Sequence, residues 1–130
     1  MADGLTFELV SPERKLASAE ADAVTIPGME GDLTAMANHA PFLTTLRPGW
    51  VVVRAGSGET RYFVTGGFAE ISDNTVSILA EQASEDGAVN ADMLSGLVSE
   101  AEAALADASD DRRQAAQQRL NDLTTFSTQI

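Results

Sequence analysis

Residues 26–49 read IPGMEGDLTAMANHAPFLTTLRPG, and this stretch decides how the rest of the chain is understood. It carries a Pro-Gly pair, a Glu-Gly-Asp triplet, the single histidine and an Arg-Pro-Gly triplet. Pro27-Gly28 and Pro48-Gly49 each place proline before glycine, the order expected at the two central positions of a type II turn. Between them lie two short apolar runs, Leu33 to Met36 and Phe42 to Leu46, separated by Asn38-His39-Ala40-Pro41. Pro41 biases Ala40 toward extended backbone, so the His-Ala-Pro segment reads as a stiff loop and not as a helix start. Short runs between tight turns describe a β-meander. Stiff loops carried on a sheet are where a binding surface would sit.

The same periodicity extends outward. Leu5, Phe7 and Leu9 alternate with Thr6 and Glu8, the period of a half-buried strand. Ser11-Pro12-Glu13 reads as a turn and Arg14-Lys15 as a solvated basic pair, while Leu16 to Ala21 is weakly patterned. Ala23 to Ile26 reads as a strand. Trp50 to Ala55 is rich in β-branched residues and gives the clearest strand, followed by a Gly56–Glu59 hairpin loop and a return strand over Thr60–Val64. Gly66-Gly67 suggests positive φ or close backbone approach, with no helix pattern after it that would make a phosphate cradle. Phe68–Ile71 and Thr75–Leu79 complete the strands, with a turn at Asp73-Asn74. Many short strands at this spacing predict an all-β sandwich or barrel.

The pattern changes at Glu81. From Glu81 to Asp111 there are nine acidic residues and no basic one. Gln82 to Val89 reads as a polar linker. From Asn90, a suitable N-cap, the period becomes helical: Leu94, Leu97, Val98, Ala101 and Leu105 share one face. Ser109 suits the cap of a second helix, whose Ala116, Leu120 and Leu123 line one side. The expected organisation is a β-sandwich over residues 1–84 and an antiparallel αα-hairpin over 85–130. Alanine at the seam buries little area, so the hairpin is expected to be marginal alone.

Charge and composition exclude several functions. The chain of 130 residues has 20 acidic and 8 basic residues, a net charge of −12 and a pI near 4.2. That argues against nucleic acid and against an anionic membrane surface, both of which attract clustered Lys and Arg. With no cysteine there is neither a disulfide nor a thiolate metal site. No run reaches the roughly 18 apolar residues of a membrane span. The opening MADGLTFELV lacks the basic and apolar regions of a signal peptide, which favours the cytoplasm. One histidine cannot build a His-rich metal site. His39 with Asp32 and a serine could form a triad only in a nucleophile context that the sequence does not offer. Glu30 and Asp32, two carboxylates across Gly31, lack the Asp/Asn cluster of a calcium loop. No cofactor is expected. Taken residue by residue, the chain is a β domain with a helical appendage and no visible active site.

The central stretch, in the form IPGxEGDxTxxxxHAPxxTxLRPG, together with Ser11-Pro12-Glu13 and YFVTGGFAEISDNTVSILAE over residues 62–81, resembles the ε subunits of F-type ATP synthases, called δ in mitochondria. The resemblance covers most of residues 5–82 and thins out in the last third. It implies a flattened sandwich of about ten strands and a non-catalytic rotor subunit. In that family the β domain sits on the membrane-embedded c-ring and against γ, and the helical hairpin reaches toward the α/β catalytic head, where ATP is made. Carried over by position, Gly28, Glu30, Gly31, Asp32, His39, Ala40 and Pro41 would form the c-ring side. Arg112, Arg113 and Arg119 would be the hairpin's contacts to the head. The location implied is the cytoplasmic face of a bacterial inner membrane, within the soluble sector of a proton-transporting complex.

Members that sense ATP open the first helix with an aliphatic residue, Asp, two variable residues, then Arg-Ala. This chain has Val89-Asn90-Ala91-Asp92-Met93-Leu94, with Asn90 and Met93 at the polar positions. Methionine cannot donate to a phosphate, so weak or absent ATP binding and a poor brake on hydrolysis are expected. Two other classes compete with the rotor reading: a small hydrolase using Asp32 and His39, and a free-standing ligand-binding sandwich with a dimerising helical tail. Co-purification with γ, an activity lost on His39→Ala, or self-association through the helices would separate the three.

Overall fold

A computed structural model describes residues 4–37 and 40–128. Ten strands are followed by two helices: β1 (Leu5–Val10), β2 (Lys15–Ala21), β3 (Ala23–Gly28), β4 (Gly31–Met36), β5 (Phe42–Leu46), β6 (Gly49–Ala55), β7 (Gly58–Val64), β8 (Gly67–Ser72), β9 (Thr75–Ala80), β10 (Ala83–Glu85), α1 (Ala91–Asp107) and α2 (Asp110–Thr128). The chain divides into two compact units, Met1–Asp86 and Gly87–Ile130.

In the first unit the strands run β10-β7-β6-β3-β5-β8-β9-β1-β2, with β4 paired to β3 off this path. β1 and β9 are parallel; every other pairing among the described residues is antiparallel. β1 and β7 stand near opposite ends of this order, yet the rings of Phe7 and Tyr62 stack 6.1 Å apart. The sheet therefore folds over on itself, which makes it a nearly closed sandwich. The alternation read in β1 is real: Leu5, Phe7 and Leu9 are at most 1% exposed. They share the core with Val24, Ile26, Val51, Val64, Ile71, Val76 and Ile78. Each such side chain contributes on the order of 1.5–3 kcal/mol by leaving water, so the hydrophobic interior dominates this unit.

Gly66 and Gly67 both have positive φ, 149° and 132°. A Cβ on Gly67 would lie 2.1 Å from the Leu79 carbonyl oxygen, so close backbone approach and left-handed geometry both hold there.

Four expectations are corrected. Pro27-Gly28 is no turn, because both residues lie in β3 with Gly28 opposite Gly31, and the turn is Met29-Glu30. Pro48-Gly49 is no type II turn, since Gly49 opens β6 without the positive φ that turn needs. Lys15–Ala21 is a full strand despite its weak pattern. It lies at the sheet edge and pairs only with β1, so backbone bonding replaces burial as the reason it forms. The turn before it is closed by Ser11 N–H to the Arg14 carbonyl at 2.9 Å, and Lys15 lies 3.3 Å from Glu8. The segment read as a linker contains β10, paired to Val64, Phe63 and Tyr62 of β7, and then a 3-10 turn, Asp86–Ala88. Three residues are too few to show a period, so β10 left no sequence signal.

In the second unit the Asn90 side chain accepts a hydrogen bond from Met93 N–H at 2.9 Å, as an N-cap should. Leu94, Leu97 and Ala101 are buried, with Val98 and Leu105 half-buried on the same face. In α2 the stripe of Ala116, Leu120 and Leu123 extends to a buried Phe126. Ser109 differs from expectation, because its hydroxyl donates to Asp111 at 2.5 Å while its carbonyl accepts from Arg112 N–H.

Candidate functional site

The site begins with the β3–β4 hairpin. Its two-residue turn forces Gly31 to φ 132°, a value that L side chains rarely adopt. On the other arm, a Cβ on Gly28 would sit 2.8 Å from the Gly31 carbonyl oxygen. The glycines read as candidates are thus needed by the backbone and set the shape of the loop. The hairpin is stitched to β5: Met29 N–H donates to the Thr45 carbonyl at 3.0 Å, and Arg47 N–H to the Pro27 carbonyl at 2.9 Å.

β5 runs antiparallel beside β3, with Gly28 opposite Leu46. Its Phe42–Thr45 segment lies beside the hairpin loop. Ala40 and Pro41 are exposed directly before Phe42. The hairpin turn brings together Gly28, Glu30, Gly31 and Asp32, while Ala40 and Pro41 precede Phe42 on the approach to β5. His39 lies outside the described residues. Between the hairpin and Phe42–Thr45 is an open groove of about 590 Å³. Glu30 and Asp32 are exposed at its rim, and neither is in an ion pair among the described residues. Among the described residues no cluster of His, Cys, Asp or Glu could hold a metal ion.

The groove also displays residues that the sequence reading passed over. Met29, Phe42 and Leu43 are 46%, 48% and 67% exposed, which makes the rim as apolar as it is acidic. Adjacent Phe42 and Leu43 must point to opposite faces of a strand, so one of the pair had to face outward unless covered. A second apolar feature lies on the outer face. Thr45 is opposite Phe68, Phe68 is opposite Leu79, and Leu79 is beside Val10. Phe68 and Leu79 are both more than half exposed, and with Val10 they form an apolar row across β8, β9 and β1. Scattered surface hydrophobics are ordinary; adjacent ones on neighbouring strands mark a contact face.

In the second unit, Arg112 and Arg113 occupy the first turns of α2, exposed, with Arg113 4.0 Å from Asp110. Arg119 follows two turns later. No helix among the described residues is long and apolar enough to cross a membrane.

A folded-over ten-strand sandwich with a shaped hairpin rim, followed by a helix pair, is the architecture that the comparisons meet. The profile described as "ATP synthase, Delta/Epsilon chain, beta-sandwich domain" matches residues 4–86. A protein named ATP synthase epsilon chain from Mesorhizobium japonicum is 47% identical, with 100% of this chain and 98% of that one covered, so the likeness includes the helices. One from Jannaschia sp. is 48% identical over 92% of this chain and 91% of its own. One from Ruegeria sp. is 63% identical over 64% of this chain and 61% of its own. The chain belongs to the ATP synthase delta/epsilon-chain family. Two solved structures share the fold: a chain of the Euglena gracilis mitochondrial ATP synthase (OSCP/F1/c-ring), with a TM-score of 0.74 at 22% identity over 98% of this chain and 81% of its own, and one of the Tetrahymena thermophila mitochondrial ATP synthase central stalk and c-ring, with 0.62 at 19% over 95% and 96%.

Proposed function

We propose that the chain is a rotor subunit of a proton-transporting ATP synthase, joining the c-ring to γ so that torque passes between them. The observation that carries this reading is the end-to-end likeness to epsilon chains, 47% identical across 98% of the Mesorhizobium protein. In this reading the rim of Gly28–Asp32, His39, Ala40 and Pro41 rests on the loops of the c-ring. Its apolar residues supply most of the attachment, because exposed charges such as Glu30 and Asp32 contribute about 0–1 kcal/mol each. The outward-facing pair of Phe68 and Leu79 is the face offered to γ. The chain performs no chemistry; ATP is made elsewhere in the complex, at the α/β head.

The helical unit faces the head through Arg112, Arg113 and Arg119 and brakes hydrolysis weakly. Three arginines set among Asp110, Asp111 and Asp122 present little net positive charge. Met93, at the position expected to contact a nucleotide, has no donor for a phosphate. The working location is the cytoplasmic face of a bacterial inner membrane, held there by protein contacts.

Affinity purification of the tagged chain from its own cells is the test. The expected result is recovery of γ, the c-ring and the α/β head in fixed proportion. Recovery of the chain alone, as a self-associated species, or with a hydrolytic activity that His39→Ala abolishes, would overturn the reading.

A further inference from the structure

The sandwich ends on a weak element with a strong clasp. β10 is three residues long, lies at the sheet edge and pairs only with β7. So short an edge strand has few backbone bonds to hold it, and such segments sit at the low end of local stability. Immediately after it, Arg61 of β7 reaches Asp86, with Nε donating to Oδ2 at 2.9 Å. The same guanidinium lies over the Trp50 ring of β6, its central carbon 4.0 Å from the ring centre. The ring fixes the position of the cation, and the cation holds the first residue after β10.

We infer that the Trp50–Arg61–Asp86 stack is a releasable latch that sets where the free chain leaving the sandwich begins. Closed, it leaves Gly87 to Val89, the first two of them within the 3-10 turn, before the α1 cap at Asn90. Open, β10 peels from β7 as far as Gln82, whose carbonyl is held by Thr65 N–H at 3.1 Å, and Glu81, whose N–H is held by the Gly66 carbonyl at 2.9 Å. The free segment then runs from Ala83 to Val89. At about 3.3–3.6 Å per fully extended residue, its greatest reach grows from at most about 10 Å to about 24 Å. The side chains of Arg61 and Asp86 are 46% and 52% exposed, so water and salt compete for the ion pair and the latch is reversible. The geometry stands whichever partners the rim takes.

Hydrogen exchange of the full chain tests the latch at peptide resolution. Arg61→Met, which removes both the ion pair and the ring contact, is expected to speed exchange over residues 83–88 about five- to tenfold, and the gentler Asp86→Asn about two- to fivefold, with the β6–β7 hairpin unchanged. The charge-swapped pair, Arg61→Asp with Asp86→Arg, is expected to recover part of the protection. Molar salt should move the wild-type chain toward Asp86→Asn. Unchanged exchange over 83–88 in Asp86→Asn overturns the proposal. So does a rise spread evenly over the whole sandwich, which would make the stack a general stabiliser and not a latch.

Discussion

In the sandwich, β1 alone buries two leucines and a phenylalanine almost completely, and these meet side chains from strands distant in sequence. In the helices, the buried residues number three in α1 and two in α2, and one of the three is an alanine. The first unit is held by long-range pairing around large apolar side chains. The second is held by one narrow seam between otherwise polar and acidic surfaces. The contrast teaches that the two halves of this chain should fail separately, under different perturbations and by different amounts.

The largest effect is expected at Phe7. Phe7→Ala removes a ring that is 1% exposed and stacked on Tyr62, at a cost of about 3–5 kcal/mol. Thermal unfolding followed by β-sheet circular dichroism should lose about 12 °C or more. If it shifts by only a few degrees, the sandwich is not the cooperative half. Leu123→Ala provides the opposite arm. It should reduce helix signal while leaving the β transition within about 2 °C of its original midpoint, since distant sites in separate units add independently. A large common shift would show that the two units melt as one.

Truncation sharpens the same contrast. A fragment of residues 1–86 retains β10 and the Arg61–Asp86 pair, and it should fold and melt cooperatively by circular dichroism. A fragment ending at Gln82 should melt lower, because β7 becomes an unprotected edge. Equal melting of both would remove any structural weight from β10.

Smaller effects are expected at the rim. Gly28→Val and Gly31→Val should reduce recovery of γ and the c-ring strongly, since each forces backbone strain of about 1–3 kcal/mol into the loop. Asp32→Ala should change recovery less than about fivefold. Equal tolerance of both kinds of change would mean that the shape of the loop does not matter. The smallest effect is expected with ATP. Calorimetry of the isolated chain should detect no binding tighter than about millimolar, and a micromolar dissociation constant would contradict the reading of Asn90 and Met93.

How far the sequence could be read varied with the kind of signal. The alternation of Leu5, Phe7 and Leu9, the β-branched run after Trp50 and the Asn90 cap are local, and each stands where it was expected. β2 and β10 were not legible. Both are edge strands held by pairing with one neighbour, and pairing by itself leaves no periodicity in the sequence. The turns were misplaced for a related reason. Proline followed by glycine is compatible with a type II turn, but which residues turn is set by register. The pairing of Gly28 with Gly31 moved the turn to Met29-Glu30.

The candidate site divides along the same line. The sequence by itself determined that glycines, acids and a proline-stiffened loop cluster in residues 26–49, that the charge is strongly negative, and that α1 offers a phosphate no cation. These are matters of residue chemistry and short-range spacing, which need no partner strand. Only the tertiary structure decided that β5 lies beside the hairpin and exposes Met29, Phe42 and Leu43 around a groove. It alone aligned Phe68 with Leu79 on the outer face and seated Arg61 between Trp50 and Asp86. Each of these joins residues on different strands. Their proximity follows from sheet register, and register is settled by the global burial of one face against the other.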